Sequence, residues 1–354
     1  WSFGIIASTH KDVWPRTGLM SALDEISANC EEVKDARPQR LTAFAILFTH
    51  ERIMYDGITS LRRGYGPIIF LLALLFGKKL AVFWHETAWN VERNASLNLF
   101  QDPRHTLKAL VVRLALRSKS VFHVCDSASA AGYFRNMWDR EGDSVAWQHP
   151  CTEARRVLAF PLPSPICRGL FVTGGGVSYR KGVDRFIEVA ERVVAHRPEA
   201  RFVWIGKLGA TGPSWQSITQ LLEEKNITQN VVFLGHLSDP TSYYYEAEAI
   251  ILLSRDEPAP KLLQEGLGLG KRCVAFNVGG ISEVLGDQGV LVDSGDVDSF
   301  AQVLISDPLG DSTLDSQTRR RARFEANFTE SAYAQRFIRV LERWEKYDCG
   351  RRRC

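Results

Sequence analysis

Short apolar segments recur along the chain, and the longer stretches between them have helical spacing of apolar residues. The first half predicts strands at Phe3–Ser8, Ala45–Thr49, Leu80–Trp84, Ser120–Cys125 and Val145–His149. The second half predicts strands at Leu170–Thr173, Arg201–Gly206, Val231–Gly235, Ala249–Ser254, Arg272–Phe276 and Gly289–Val292. Apolar runs of this length are typical of strands that are covered on both faces. Because helix-length segments separate them, the pattern predicts an α/β protein with two doubly wound parallel sheets.

A proline-rich segment separates the two sets of strands. Phe160–Pro165 reads Phe-Pro-Leu-Pro-Ser-Pro and is expected to be a stiff linker. The sequence therefore predicts a first domain at residues 1–160 and a second at 161–330, and a length of 354 residues favours two domains over one. Residues 331–354 are expected to form a C-terminal helix and a basic tail that pack back on the first domain.

Composition is that of an ordinary globular protein, with 45% hydrophobic and 24% charged residues. The formal charge of +3 gives no reason to expect a nucleic-acid partner. Seven dispersed cysteines, without CxxC or histidine at zinc-site spacing, indicate reduced thiols in the cytoplasm and no metal site.

The longest apolar run, Ile68–Phe76, is too short to span a membrane. A buried helix is the favoured interpretation, and peripheral contact of the first domain with the inner face of a membrane is the alternative.

Two glutamates eight residues apart, Glu257 and Glu265, follow one of the buried strands. Pro258 and Pro260 are expected to begin a helix there, because proline is tolerated in a first helical turn. Glu257 would then lie at the carboxyl end of a strand and Glu265 two turns along the helix, in the crevice where open α/β sheets bind ligands. Carboxylates there can accept hydrogen bonds from the vicinal hydroxyls of a sugar. The alternative is that Glu257 only interacts favourably with the dipole at the helix N-terminus and that Glu265 is a solvated acid on the helix surface.

A glycine-rich turn opens the second domain. Gly174, Gly175 and Gly176 end a strand, and Arg180 and Lys181 precede a helix. Glycines let the backbone approach a ligand, and a helix N-terminus with a nearby lysine attracts anions. The spacing matches neither GxGxxG nor GxxxxGK[ST], so the turn predicts a phosphate site without a standard nucleotide fingerprint.

Together, the turn with Lys181, the glutamate pair and the segment Val278–Glu283 resemble the retaining glycosyltransferases of family 4. The resemblance covers roughly residues 169–305. It implies the GT-B architecture, with two Rossmann-like domains facing a cleft and a nucleotide sugar held mainly by the second domain. It also implies that Lys181 stabilises the donor diphosphate, that Glu265 binds the ribose, and that Glu257 lies near the transferred sugar.

The predicted donor-binding set implied by the resemblance comprises Gly174, Gly175, Gly176, Arg180, Lys181, Glu257, Lys261, Leu262 and Glu265. Two positions depart from the family pattern. The usual arginine of the basic pair falls at Gly176, with Arg180 as a nearby substitute, and the usual glycine after the first glutamate falls at Pro260, which has no N–H.

His85 follows the apolar segment Leu80–Trp84 and resembles the cleft histidine of the family. A histidine there could hydrogen-bond a sugar hydroxyl, and a structural histidine with satisfied partners is the alternative. Further candidates in the first half are Arg16, Gly18 and the segment Cys125–Ser127, which ends another predicted strand.

The sequence thus predicts a metal-independent retaining glycosyltransferase of polysaccharide biosynthesis, cytoplasmic and without a cofactor. It would move a hexose-type sugar from a nucleotide-diphosphate sugar to a hydroxyl of a glycan, lipid or small-molecule acceptor. The predicted catalytic residues are His85, Lys181 and Glu257. The alternatives are a non-catalytic GT-B protein that binds glycan or a partner protein, a sugar-nucleotide epimerase, and a phosphorylase.

Overall fold

The computed structural model describes residues 2–7, 29–34, 48, 51–56, 66–85, 110, 114–115, 117–138, 142–209, 212–306 and 312–351. Within these ranges, the strands are β1 Ser2–Ala7, β2 Asn29–Lys34, β3 Arg52–Asp56, β4 Lys79–Trp84, β5 Val121–Cys125, β6 Val145–Trp147, β7 Cys167–Gly174, β8 Arg201–Ile205, β9 Val231–Gly235, β10 Ala247–Leu252, β11 Arg272–Phe276 and β12 Val290–Val292. The helices are α1 Gly66–Leu75, α2 Ala128–Trp138, α3 Ala154–Leu158, α4 Val183–His196, α5 Trp215–Glu224, α6 Thr241–Glu246, α7 Lys261–Gly268, α8 Ile281–Leu285, α9 Val297–Ile305, α10 Leu314–Asn327 and α11 Glu330–Arg351.

The chain divides into two compact units. The first comprises Trp1–Cys151 together with Glu330–Cys354, and the second comprises Thr152–Thr329. The proline-rich segment Phe160–Pro165 belongs to the second unit, where the hydroxyl of Tyr245 donates to the carbonyl of Pro161 (2.9 Å).

The first unit contains a parallel sheet in the order β2-β1-β3-β4-β5-β6. Apolar side chains of α1 and α2, including Phe70 and Phe134, pack against one face of this sheet. The C-terminal helix α11 covers the other face with Phe337 and Trp344, which pack against Phe122 and neighbouring side chains. The predicted return of the C-terminal helix to the first domain is therefore confirmed.

Two strands of the first unit differ from the sequence prediction. Phe48, inside the predicted strand Ala45–Thr49, has a helical backbone, and the strand lies at Arg52–Asp56 instead. Asn29–Lys34, which the sequence did not predict, is an edge strand. Edge strands accommodate charged residues, so this strand lacks an apolar run.

The second unit contains a parallel sheet in the order β12-β11-β10-β7-β8-β9. With β7 numbered as strand 1 and the sheet read from the β9 edge, this is the 3-2-1-4-5-6 order of a Rossmann-like domain. Helices cover both faces, with Phe186 and Phe300 in the core of one face and Leu263 and Phe324 in the core of the other. The strand order reverses between β7 and β10, so a crevice for a ligand is expected at the carboxyl ends of these two strands.

The apolar run of the first unit forms α1. Ile69 and Phe70 of this helix are fully buried, whereas Leu75 and Phe76 are 78% and 52% exposed. In the described part of the chain, no helix has both the length and the apolarity needed to cross a bilayer.

Candidate functional site

The glycine-rich turn lies where β7 ends, and Glu257 lies a few residues after the end of the neighbouring strand β10. The two predicted motifs therefore meet at the point where the strand order of the second sheet reverses. This position is set by topology and does not depend on any resemblance to known proteins.

Close backbone packing explains the glycines of the turn. Gly175 has a φ of +116°, and its carbonyl accepts a hydrogen bond from the indole N–H of Trp204 (2.8 Å). A Cβ at Gly174 would overlap the hydroxyl of Tyr244. Gly175 and Gly176 are exposed at the end of the strand. The turn thus leaves its backbone accessible to a ligand.

Lys181 lies directly over this turn. Its Nζ is 3.8 Å from the point that a Cβ of Gly175 would occupy. The ammonium donates a hydrogen bond to Oε1 of Glu257, and the hydroxyl of Ser254 donates to the same oxygen (2.6 Å). Glu257 is only 3% exposed, so its negative charge is stabilised by these two donors. Among the described residues no donor reaches Oε2, which is therefore left to accept a hydrogen bond from a ligand hydroxyl.

The segment Val278–Glu283 holds the backbone of Glu257. The N–H of Gly280 donates to the carbonyl of Glu257 (2.9 Å), and a Cβ at Gly279 would overlap that carbonyl oxygen. The glycine pair of this motif thus allows the loop to approach Glu257 closely, and we infer that it fixes the position of the carboxylate.

Helix α7 begins at Lys261, with Pro260 as its N-cap. Pro258 therefore precedes the helix, whereas the sequence had placed it in the first turn. Pro258 and Ala259 form a bend between Glu257 and the helix instead. Lys261 and Leu262 form the start of α7, with half-buried side chains, and their N–H groups lie at the end of the helix that attracts anions.

Glu265 lies one turn further along α7 and is paired with Arg156 of α3. One nitrogen of the guanidinium contacts Oε1 of Glu265, and another is 3.4 Å from Asp239. The side chain of Glu265 is 14% exposed and that of Arg156 is 25% exposed. Burial raises the pKa of Glu265 above its usual range, and the positive charge of Arg156 opposes this shift. Arg156 thus favours the ionised carboxylate.

Tyr244 connects the glutamate to the turn. Its hydroxyl lies against Gly174, and burial raises its pKa, with a smaller contribution from the negative charge of Glu265. Gly174, Tyr244, Glu265 and Arg156 are therefore neighbours in one continuous site.

Sequence reasoning missed Arg156, Asp239 and Tyr244. Arg156 is 109 residues from Glu265 along the chain, and no spacing within a motif reveals such a contact. Ser254 could have been found, since it ends the predicted strand three residues before Glu257.

The structure describes both Gly176, which departs from the family's basic pair, and its nearby substitute Arg180. Arg180 donates to the carbonyl of Asp256 (2.9 Å) and lies 3.9 Å from Oε1 of Glu257, so it borders the Lys181–Glu257 pair. Gly176 is not among the glycines with positive φ, and the nearest atom to an added Cβ is the carbonyl oxygen of Lys207 at 3.9 Å. A side chain at residue 176 would therefore fit without strain.

In the first unit, His85 is hydrogen-bonded to Asp126. The register of β4 and β5 pairs Trp84 with Cys125, so the residues that follow these two strands are adjacent. Nδ1 of His85 is 2.9 Å from Oδ1 of Asp126, and the histidine side chain is 30% exposed. Trp84 is 1% exposed and belongs to the core. Arg16 and Gly18 lie outside the described residues.

Residues 168–306, which hold the turn, the glutamates and the loop that supports them, match the model of the family Glycosyl transferases group 1. This segment of the second unit is therefore similar to the group 1 glycosyltransferases. The chain is 29% identical over 168 residues to N-acetyl-alpha-D-glucosaminyl L-malate synthase of Bacillus anthracis, with 47% of this chain and 41% of the relative covered. It is 28% identical over 208 residues to a GDP-mannose-dependent phosphatidylinositol monomannoside mannosyltransferase of Corynebacterium glutamicum, with 53% and 50% covered. The chain thus spans about half the length of these relatives.

A solved structure extends the likeness to both units. Anabaena HepE in complex with UDP has a TM-score of 0.66, with 12% sequence identity and coverage of 96% of this chain and 99% of HepE. This similarity establishes the fold, and the fold class is GT-B, with two Rossmann-like domains.

Proposed function

We propose that this protein is a group 1 glycosyltransferase that moves a hexose-type sugar from a nucleotide-diphosphate sugar to a hydroxyl acceptor, with retention of the anomeric configuration. The observation that supports this proposal most strongly is the position of Lys181 and Glu257 over the glycine-rich turn at the point where the strand order reverses. A cation, exposed backbone and a buried carboxylate in one crevice suit a phosphate bonded to a sugar.

Departure of the nucleoside diphosphate builds negative charge on the phosphate oxygen that leaves the sugar. In this proposal the ammonium of Lys181 and the N–H of Gly176 stabilise this charge, whereas the N–H groups of Gly175 and Val177 are bonded to the carbonyls of Ile205 and Lys207. Groups fixed in advance for a charge that develops during the reaction lower the barrier, because they need no reorganisation. The phosphate competes with Glu257 for Lys181, so donor binding and release of the ion pair are coupled.

The two glutamates serve different parts of the donor in this proposal. Glu257 accepts a hydrogen bond from a hydroxyl of the transferred sugar through Oε2, while Ser254 holds Oε1. Glu265, paired with Arg156, accepts hydrogen bonds from the ribose hydroxyls. In the same proposal His85, which is hydrogen-bonded to Asp126, binds a sugar hydroxyl.

Donor identity and cellular setting belong to the same proposal. The relatives are named for N-acetylglucosaminyl and mannosyl transfer, and one related structure holds UDP, so UDP- and GDP-sugars are the donors to test first. Independence from a metal ion, a cytoplasmic location, peripheral membrane contact and a role in polysaccharide biosynthesis stay predictions.

A turnover assay tests the proposal. The protein is incubated with UDP-glucose, UDP-N-acetylglucosamine or GDP-mannose, with and without sugar and glycerol acceptors, and the released nucleoside diphosphate is measured. We expect release that depends on an acceptor, and a product with the anomeric configuration of the donor by NMR. Lys181→Met should lower turnover about 10²–10³-fold. Lys225→Met is the matched control, because Lys225 follows α5 near the amino end of β9, away from the site.

Each alternative has its own result in this assay. A changed nucleotide sugar, or nucleotide released without an acceptor, indicates an epimerase, and dependence on inorganic phosphate indicates a phosphorylase. Binding of nucleotides without release from any donor indicates a non-catalytic protein. Any of these results contradicts the proposed transfer.

A further inference from the structure

The end of β8 lies directly beside the exposed glycine turn. The register of β7 and β8 pairs Gly174 with Ile205, and an isolated parallel bridge pairs Val177 with Leu208. The backbone bond from Val177 N–H to the carbonyl of Lys207 (2.8 Å) belongs to the same ladder. Since the register is unchanged across the turn, Gly176 lies opposite Lys207.

Residue 176 itself leaves open space. It has no side chain, it is exposed, and an added Cβ would have the carbonyl oxygen of Lys207 as its nearest neighbour at 3.9 Å. The backbone of Lys207 therefore lies beside an unfilled position, on the surface where the donor phosphates are proposed to lie.

The other cations around the turn are already engaged. Lys181 is paired with Glu257, Arg180 donates to the carbonyl of Asp256, and Arg255 forms a two-pronged ion pair with Asp184. Lys207 is exposed, and within the described ranges its side chain has neither an ion pair nor a hydrogen bond. A diphosphate carries more negative charge than a lysine that is already paired with a carboxylate can balance, so a further cation near the turn would strengthen binding.

We propose that Lys207 is a donor-binding residue that supplies the second positive charge to the diphosphate, in the place that a side chain at residue 176 would otherwise take. This inference rests on the proposed function, since it assigns a ligand contact within the same donor site. It makes a specific prediction: Lys207 and a cation introduced at residue 176 are interchangeable.

A double-variant cycle tests the assignment. Dissociation constants of UDP, GDP and ADP, and of the corresponding nucleosides, are measured by calorimetry for wild type, Lys207→Met, Gly176→Arg, the double variant and the control Lys225→Met. Lys207→Met should weaken binding of the nucleoside diphosphate about tenfold and leave the nucleoside unaffected. Gly176→Arg should restore affinity in the Lys207→Met background and add much less to wild type. Thermal unfolding confirms that each variant is folded.

The failures can be told apart. If wild type binds a nucleoside diphosphate and Lys207→Met binds it equally well, the assignment of Lys207 is overturned while the proposed function stands. Equal gains from Gly176→Arg in both backgrounds also overturn the assignment, because they show two independent sites. If wild type binds none of the three nucleotides, the proposed function and this inference both fall.

Discussion

Replacing Arg156 by glutamine should affect stability and nucleotide binding with opposite pH dependences. Glu265 would lose its cation while its carboxylate remains mostly buried. Removing one partner of a fully buried ion pair costs about 3–5 kcal/mol. Arg156 and Glu265 are 25% and 14% exposed, so solvent screens part of the interaction. We therefore expect a loss of about 1–3 kcal/mol at pH 8, which lowers the melting temperature by about 2–4 °C per kcal/mol in a domain of this size.

The pH dependence follows from the pKa of Glu265. Burial holds this pKa above that of an unfolded glutamate, so the folded state binds the proton more strongly, and stability falls as pH rises through the folded pKa. Loss of Arg156 raises the pKa further. The stability deficit of Arg156→Gln should therefore be larger at pH 8 than at pH 5.5. Nucleotide affinity should show the reverse, because only the ionised carboxylate binds the ribose tightly, and the affinity deficit should grow on acidification.

Thermal unfolding and calorimetric titration at pH 5.5, 7 and 8 measure both effects. Arg155→Gln is the matched control, since Arg155 is the exposed neighbour on the same helix. The double variant Arg156→Gln with Glu265→Gln should recover stability, because no buried charge remains, without recovering ribose binding. If the deficits of Arg156→Gln do not change with pH, or if Arg155→Gln reproduces them, Arg156 does not control the ionisation of Glu265.

Three further substitutions test other parts of the molecule. Lys271 is 2% exposed, and burial lowers its pKa to about 8. Its positive charge therefore lowers the free energy of unfolding by about 3 kcal/mol below pH 8, and by less as pH rises toward 10.5. Lys271→Met should therefore stabilise the protein by about 1–2 kcal/mol at pH 7 after the loss of its hydrogen bond, with a smaller gain at pH 9.5; equal melting shifts at both pH values would refute this. Gly182 has a φ of +78°, and a Cβ there would overlap a backbone carbonyl. Gly182→Ala should therefore lower the free energy of unfolding, measured with denaturant, by more than about 2 kcal/mol. Gly176→Ala is the control and should leave it nearly unchanged. His85→Ala should lower turnover about 10²-fold with unchanged nucleotide affinity, and Asp126→Asn should act in the same direction more weakly; weakened nucleotide binding in either variant would contradict the assigned role.

The second sheet could be predicted from the sequence because its strands are covered on both faces. Strands such as Ala247–Leu252 and Arg272–Phe276 are buried along their whole length, so each is an apolar run of nearly the right length. The strand Arg52–Asp56 begins and ends with charged residues, so its apolar run is shorter than the neighbouring run around Phe48. Phe48 is nevertheless 77% exposed. Tertiary packing therefore decided the position of this strand, and local propensity did not.

The candidate site could be predicted only where its residues share a motif. The spacing of Glu257 and Glu265 on one strand–helix unit indicated their common crevice. The pairing of Glu265 with Arg156 requires α3 and α7 to be brought together by folding, which no local pattern reports. Lys207 was missed for the same reason, since its proximity to Gly176 is a consequence of strand register.

The central claim is that the crevice of the second sheet holds the nucleoside diphosphate of a sugar donor, with Lys181 at the phosphates and Glu265 at the ribose. The most direct test is calorimetric titration of wild type, Lys181→Met and Glu265→Ala with a nucleoside diphosphate, its nucleoside and its 2′,3′-dideoxy analogue. Lys181→Met should lose the preference for the diphosphate over the nucleoside, and Glu265→Ala should lose the preference for ribose over dideoxyribose, while each variant keeps the other preference. If both folded variants retain the two preferences of the wild type, the nucleotide does not bind at these residues and the account is wrong.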